Sequence, residues 1–227
     1  MATSDIARSL RILAYLLAYP GAEWRRNLPA LREALQAERA IAPRRRTEIE
    51  RLIETLMRAD GIEAEAAYVQ LFDRGRATSL HLFEHVHGDS RDRGPAMIDL
   101  EKTYQQAGLL LAPGELPDYL PAVLEFVSTQ PPREARAFLS ELAHILNALF
   151  SALAQRQSAY ASVLGALLEL AGEKAQPVKL PPEEPLDASW AEPPAFAGCS
   201  SHGQAPPGQP QPIQIVRRDP RAQGAAA

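Results

Sequence analysis

Residues 79–94, SLHLFEHVHGDSRDRG, hold three histidines, one glutamate, two aspartates and two arginines. Histidines and carboxylates so placed ligate metals or move protons near neutral pH. On a helix turning about 100° per residue, His81 and His85 share a polar face with Glu84 beside them. That is the i, i+4 spacing of zinc-binding helices, whereas His87 falls on the apolar arc with Leu82, Phe83 and Val86. A catalytic zinc needs a third protein ligand and an open position, and a structural zinc needs four ligands. The order also departs from HExxH, because Glu84 directly precedes His85. Cys199 and His202 could add ligands, but they lie in Pro/Gly-rich sequence. His81 and His85 are therefore expected as hydrogen-bonded surface groups or partner contacts, and His87, beside Gly88, as the cap of a helix end. A metal-dependent hydrolase or lyase using His81, Glu84 and His85 is the alternative.

Nucleophilic and nucleotide chemistry find less support. The chain has no GxSxG, no P-loop pattern and no GxGxxG, and its lone Cys199 has no base positioned to activate it. The stretches FDRGRATS and GDSRDRG mix Gly, Ser and Arg as phosphate loops do. Their charges suit a brace better: Asp73, Arg74, Arg76, Asp89, Arg91, Asp92 and Arg93 can tie two interhelical turns together.

Composition narrows the function classes. With 6% aromatic and 23% charged residues the chain reads as ordinary globular protein. A net charge of −4 gives no basis for nucleic-acid affinity. The trio Arg44-Arg45-Arg46 at an apparent helix start is expected to be a solvated run. One cysteine allows no intrachain disulfide, which suits a reducing compartment. Arg8 and Arg11 interrupt the N-terminal apolar residues, so that segment reads as a helix and not as a signal peptide. The apolar run 12–19 is far short of the roughly 20 residues of a membrane span. A cytoplasmic protein without stable membrane insertion is expected.

The elements that must position these residues are helical. Ile6, Leu10, Leu13 and Leu17 keep helical spacing, with Ser4 as the expected cap and Pro20-Gly21 as the stop. Ile49, Leu52, Ile53 and Leu56 mark a second helix ending near Gly61. Phe138, Leu142, Ile145, Leu149 and Leu153 mark one long helix after Pro131-Pro132, and Tyr160, Leu164, Leu167 and Ala171 the last. Weaker patterns cover 23–39, 63–73, 79–87, 95–107 and 118–129. The fold class is all-α: one compact bundle of about eight or nine helices over residues 1–174. Residues 175–227 hold 11 of the 20 prolines and read as a largely disordered tail. Without that tail, 20 Lys and Arg face 23 Asp and Glu, so the helical domain is mildly acidic.

Two stretches carry a family resemblance. Tyr68 to Leu100, YVQLFDRGRATSLHLFEHVHGDSRDRGPAMIDL, resembles the signature region of the NarJ-type nitrate reductase molybdenum-cofactor assembly chaperones. Glu115 to Val127, ELPDYLPAVLEFV, is similar to the second motif of that family, with Tyr119 where related redox-enzyme chaperones carry His. The similarity runs in register from the first helix to about residue 171.

The resemblance implies an all-helical, non-catalytic member of the wider TorD/DmsD-like group that binds no cofactor stably. Its partner is then the apo catalytic (alpha) subunit of a respiratory nitrate reductase, including the N-terminal peptide. That subunit receives bis-molybdopterin guanine dinucleotide and an iron–sulfur cluster, after which the chaperone dissociates. Molybdenum-cofactor biosynthesis proteins are a further partner class it admits. The expected peptide groove uses Tyr68, Leu71 and Phe72 as an apolar ridge, with Glu115, Pro117, Asp118, Tyr119 and Glu125 alongside. Its acidic groups suit a basic peptide. His81, Glu84, His85, His87, Asp89, Arg91, Asp92 and Arg93 form the signature loop, as a brace or as a docking surface. A generic helical adaptor is the remaining alternative.

Overall fold

The computed structural model describes residues 6–88 and 90–178. The helices are α1 (Ala7–Leu17), α2 (Ala22–Arg26), α3 (Leu28–Ala37), α4 (Pro43–Arg58), α5 (Gly61–Phe72) and α6 (Leu82–Val86). They continue with α7 (Arg93–Gln106), α8 (Leu120–Ser128), α9 (Pro132–Glu141), α10 (Ala143–Gln155) and α11 (Ala161–Ala171). A 3-10 turn, Arg76–Thr78, joins α5 to α6. Among the described residues there is no strand, only an isolated antiparallel bridge between His81 and Tyr119.

The core sits where α1, α8 and α11 meet. Leu10, Leu13 and Leu17 of α1 are fully buried, as the helical spacing requires. The helix stops at Ala18, which turns extended ahead of Pro20. Along α1 lies α8, burying Leu120, Val123, Leu124 and Val127. Helix α11 buries Val163, Leu164, Leu167 and Leu168 and contacts α1, α4, α9 and α10. Truncating such a leucine to alanine costs about 2–5 kcal/mol.

The all-α expectation holds, but among the described residues eleven α-helices replace the eight or nine expected, because two expected helices are each split in two. The 23–39 pattern breaks at Asn27, since Pro29 lacks an amide proton and fits only in the first turn of a new helix. The 138–153 pattern breaks at Leu142, where α9 and α10 meet at 64°. No Gly or Pro marks that break. Each half buries its own face, with Ala135 and Leu139 on α9 and Ile145, Leu146 and Leu149 on α10. The bend also means that no single helix among the described residues is long and apolar enough to cross a membrane.

The Arg44–Arg46 run is only partly solvated. Arg45 is 14% exposed and pairs with Glu48 (2.6 Å) and Glu169 (2.9 Å). Its guanidinium lies over Gly165 of α11, where a Cβ would come within 2.6 Å of Arg45 Cζ. Arg46 donates to the Glu38 carbonyl (2.7 Å). At the other end, residues past the expected boundary at 175 remain on α10. Gln176 N donates to Asn147 Oδ1 (2.9 Å) and Val178 N to Ser151 Oγ (3.0 Å). The proposed Ser4 cap and the expected tail beyond Val178 lie outside the described residues.

One excursion leaves the bundle and returns to it at a single place. Leu82 N donates to Asp118 O (3.0 Å) and Leu120 N to Leu80 O (2.8 Å). Between these two bonds run α6, α7 and the segment 107–117. Tyr104 is the buried residue of α7; its ring packs on Phe126 (centroids 4.8 Å) and its hydroxyl donates to Pro117 O (2.7 Å).

Candidate functional site

The backbone bridge joins the two motif segments at Asp118, whose exposure is 0%. Asp118 Oδ2 accepts from Phe83 N (3.1 Å), so the carboxylate caps α6 from across the bridge. Asp118 Oδ1 accepts from His81 Nδ1 (3.3 Å); a carboxylate offers no proton, so that nitrogen carries it. The Arg93 guanidinium sits 3.8 Å from Asp118 Oδ2 and 3.5 Å from Glu84 Oε1. His81 has its pKa raised above the usual imidazole value, first by the Asp118 hydrogen bond, with burial opposing. His85 is moved the other way, because burial disfavours its charged form. Its Nε2 donates to the Ser79 carbonyl (2.8 Å).

Two arginines brace this junction. Arg93 pairs as above, and Arg76 Nε donates to Glu84 O (2.8 Å). The Arg76 guanidinium lies against Gly88, which has φ +53 and where a Cβ would meet it at 2.2 Å. His87 occupies the C-cap position of α6, its amide donating to Phe83 O (2.8 Å). Asp73, Arg74, Arg91 and Asp92, also expected in the brace, are exposed, and Asp89 lies outside the described residues. The helix expected over 79–87 begins only at Leu82, because His81 is extended to pair with Tyr119. His81 and His85 therefore do not form the i, i+4 pair of one helix face, and their rings turn to Asp118 and Ser79. Among the described residues no three His, Cys, Asp or Glu side chains are grouped to hold a metal ion. Cys199 and His202 lie outside them.

Beside this junction runs a cluster of tyrosines. Tyr68 packs against Phe72 (centroids 4.7 Å) and meets Tyr19 edge-on (5.6 Å). Its hydroxyl donates to Leu17 O (2.7 Å), at the end of α1, and lies 3.1 Å from the Tyr119 hydroxyl. Tyr19 is 47% exposed and donates to Glu65 Oε2 (2.8 Å). Burial and the charges of Glu115 and Asp73 push the Tyr119 phenol up, with the Tyr68 hydrogen bond opposing. Burial, then Glu115, raises the Glu125 carboxyl, with Arg11 opposing. Among the described residues, Glu65, Asp73, Glu115 and Glu125 make no ion pair with Lys or Arg within 4 Å.

The residues expected to line a groove thus divide. Glu115 and Glu125 are exposed, and Tyr119 and Leu71 are partly so. Tyr68, Phe72, Pro117 and Asp118 are buried, so the expected ridge belongs to the core and truncating Phe72 or Asp118 tests stability first. Asp118 caps α6 and not the helix that follows it; α8 has Tyr119 at its cap position and Pro121 in its first turn. Sequence reasoning missed Tyr19, Tyr104 and Tyr160. Tyr19 lay in the stop signal before Pro20, and Tyr160 appeared only as a helix-periodic apolar residue.

Residues 22–164 match the family model described as nitrate reductase delta subunit. The chain is 40% identical over 193 residues to the nitrate reductase molybdenum cofactor assembly chaperone NarJ of Escherichia coli K12. That match covers 81% of this chain and 82% of the relative. Over 118 residues it is 40% identical to the nitrate reductase-like protein NarX of Mycobacterium tuberculosis, covering 52% of this chain and 18% of that one. A crystal structure from Archaeoglobus fulgidus, described as a redox enzyme maturation protein, shares the fold with a TM-score of 0.54 at 17% identity. It covers 74% of this chain and 94% of that one.

Proposed function

This chain belongs to the nitrate reductase delta subunit family, and from that premise we propose that it is an assembly chaperone, not a catalyst, for molybdenum-cofactor insertion into a nitrate reductase. Its partner is the apo catalytic subunit of a respiratory enzyme, and its contact includes that subunit's N-terminal segment. The molybdopterin cofactor and the iron–sulfur cluster are the partner's cargo; the chaperone holds neither. It works in the cytoplasm, where the subunit is made and loaded.

The observation that carries this reading is the division of polar groups. The His81–Asp118–Arg93 junction satisfies its own charges. The neighbouring surface of Tyr19, Tyr119, Asp73 and Glu115 presents aromatic area and negative charge outward. Such a surface suits a helical peptide with an apolar face and basic flanks. Release follows by linkage: if the chaperone prefers the cofactor-free partner, cofactor insertion weakens chaperone binding by the same factor. A tagged chain purified from nitrate-respiring cells tests this. More catalytic subunit should be captured from a strain unable to make molybdenum cofactor than from its parent. Equal capture from both strains, or none from either, overturns the reading.

A further inference from the structure

Three tyrosine hydroxyls gather near the C-terminus of α1. Tyr68 commits its proton to Leu17 O, which leaves the Tyr119 hydroxyl to donate to Tyr68 (3.1 Å) or to Leu17 O (3.5 Å). Tyr19 commits its proton to Glu65. What Tyr119 and Tyr19 have left to offer is lone pairs. Tyr160 is 7% exposed, with its ring against Phe72 (centroids 5.1 Å) and Tyr68 (6.4 Å). Its buried hydroxyl has no hydrogen-bond partner among the described residues. A buried hydroxyl without a partner is costly, and this one lies behind the Tyr68 and Phe72 rings.

The His81 ring covers one side of Tyr119 (centroids 5.4 Å), and the other groups that act on these phenols are negative. The carbonyl end of α1 carries the negative pole of its macrodipole. Exposed Asp73 and Glu115, together with Glu65, act on these phenols without an ion-pair partner among the described residues. Acceptors, negative charge and aromatic faces in one place ask for a planar cation.

The geometry points to a subsite for one arginine side chain of the partner. Its guanidinium lies along the Tyr19 and Tyr119 rings, with Asp73 and Glu115 as counter-charges and the phenolic oxygens as acceptors. This rests on the reading that a partner segment docks here, and it adds what that segment must carry.

Two probes on the full chain separate the claims. The first is a synthetic peptide of the N-terminal segment of the cognate catalytic subunit, with a version whose basic residues are changed to glutamine. Calorimetry should show Asp73→Asn and Glu115→Gln each weakening the native peptide by about three- to tenfold at low salt. That loss should shrink above about 0.5 M salt. The second probe is N-acetyl-arginine methylamide against its neutral citrulline counterpart. The arginine compound alone should shift the Tyr19 and Tyr119 ring signals in NMR spectra. If the native peptide binds and neither the variants nor loss of its basic residues alters affinity, the subsite is wrong while the chaperone reading stands. If it does not bind but the arginine compound is selected, the docking reading fails and the subsite survives. Equal response to the two compounds overturns the subsite in every case.

Discussion

Asp118 and Glu115 stand three positions apart in one motif with the same charge, yet the fold treats them in opposite ways. Asp118 is fully buried and receives the Phe83 amide, the His81 imidazole and, more distantly, the Arg93 guanidinium. Glu115 is exposed, and its charge falls on Tyr119 and Glu125. What separates the two carboxylates is whether the chain supplies donors. Where it does, the acid is architecture. Where it does not, the charge is available to something else.

The sharpest break in this comparison is Asp118→Ala, which strips the cap from α6 and leaves His81 and Arg93 facing a hole. Loss of one partner in a buried charged network costs about 3–5 kcal/mol, read by chemical denaturation. A loss under about 1 kcal/mol would place Asp118 with Glu115, outside the architecture. Gly88→Ala comes next. The left-handed φ resists a side chain, and the Arg76 guanidinium must move aside. A cost of about 1–2 kcal/mol is expected in the same measurement.

His81→Asn probes the junction through pH. A folded pKa raised by Asp118 means that His81 contributes stability fully below its unfolded value of about 6.5. That contribution is lost as pH rises through the raised value. The lowered pKa of His85 acts oppositely, its contribution present above the unfolded value and lost as pH falls through the lowered one. The melting temperature of His81→Asn should therefore fall further below wild type at pH 6 than at pH 8.5. Parallel curves would show that protonation of His81 beside Asp118 contributes nothing. The smallest effects belong to Asp73→Asn and Glu115→Gln, expected within about 0.5 kcal/mol of wild-type stability. A larger loss would show that these acids, too, are spent inside the fold.

The sequence made the helical class, α1, α4 and α11 legible because their apolar residues repeat at helical spacing, although Gly61, expected near the end of α4, instead opens α5. It also made legible two segments that carry family motifs. It did not reveal how they meet. The 138–153 break carries no Gly or Pro, since tertiary packing alone bends the chain at Leu142. The histidine pattern misled because helical geometry was applied to His81, whose backbone is held extended by pairing with Tyr119. The role of Asp118 depends on an amide 35 residues away, and no local pattern carries that information. Tyr68 and Phe72 show the same limit: amphipathic spacing marks a buried stripe without saying whether a partner or the core covers it.

The excursion closed by the Leu82–Asp118 and Leu120–Leu80 bonds has a consequence for how such a chain can change. Its backbone departs and returns at one point, and although Tyr104 anchors it on Phe126, the exposed turns at its tip are free of the core. Doubling a flexible loop adds only about 0.6 kcal/mol of closure entropy. Residues can be gained or shed around the exposed turns at Gly108 and Gly114 while α1, α8 and α11 keep their packing. The molecule is therefore suited to carry a grafted reporter at that tip, and its relatives are free to differ most in length there.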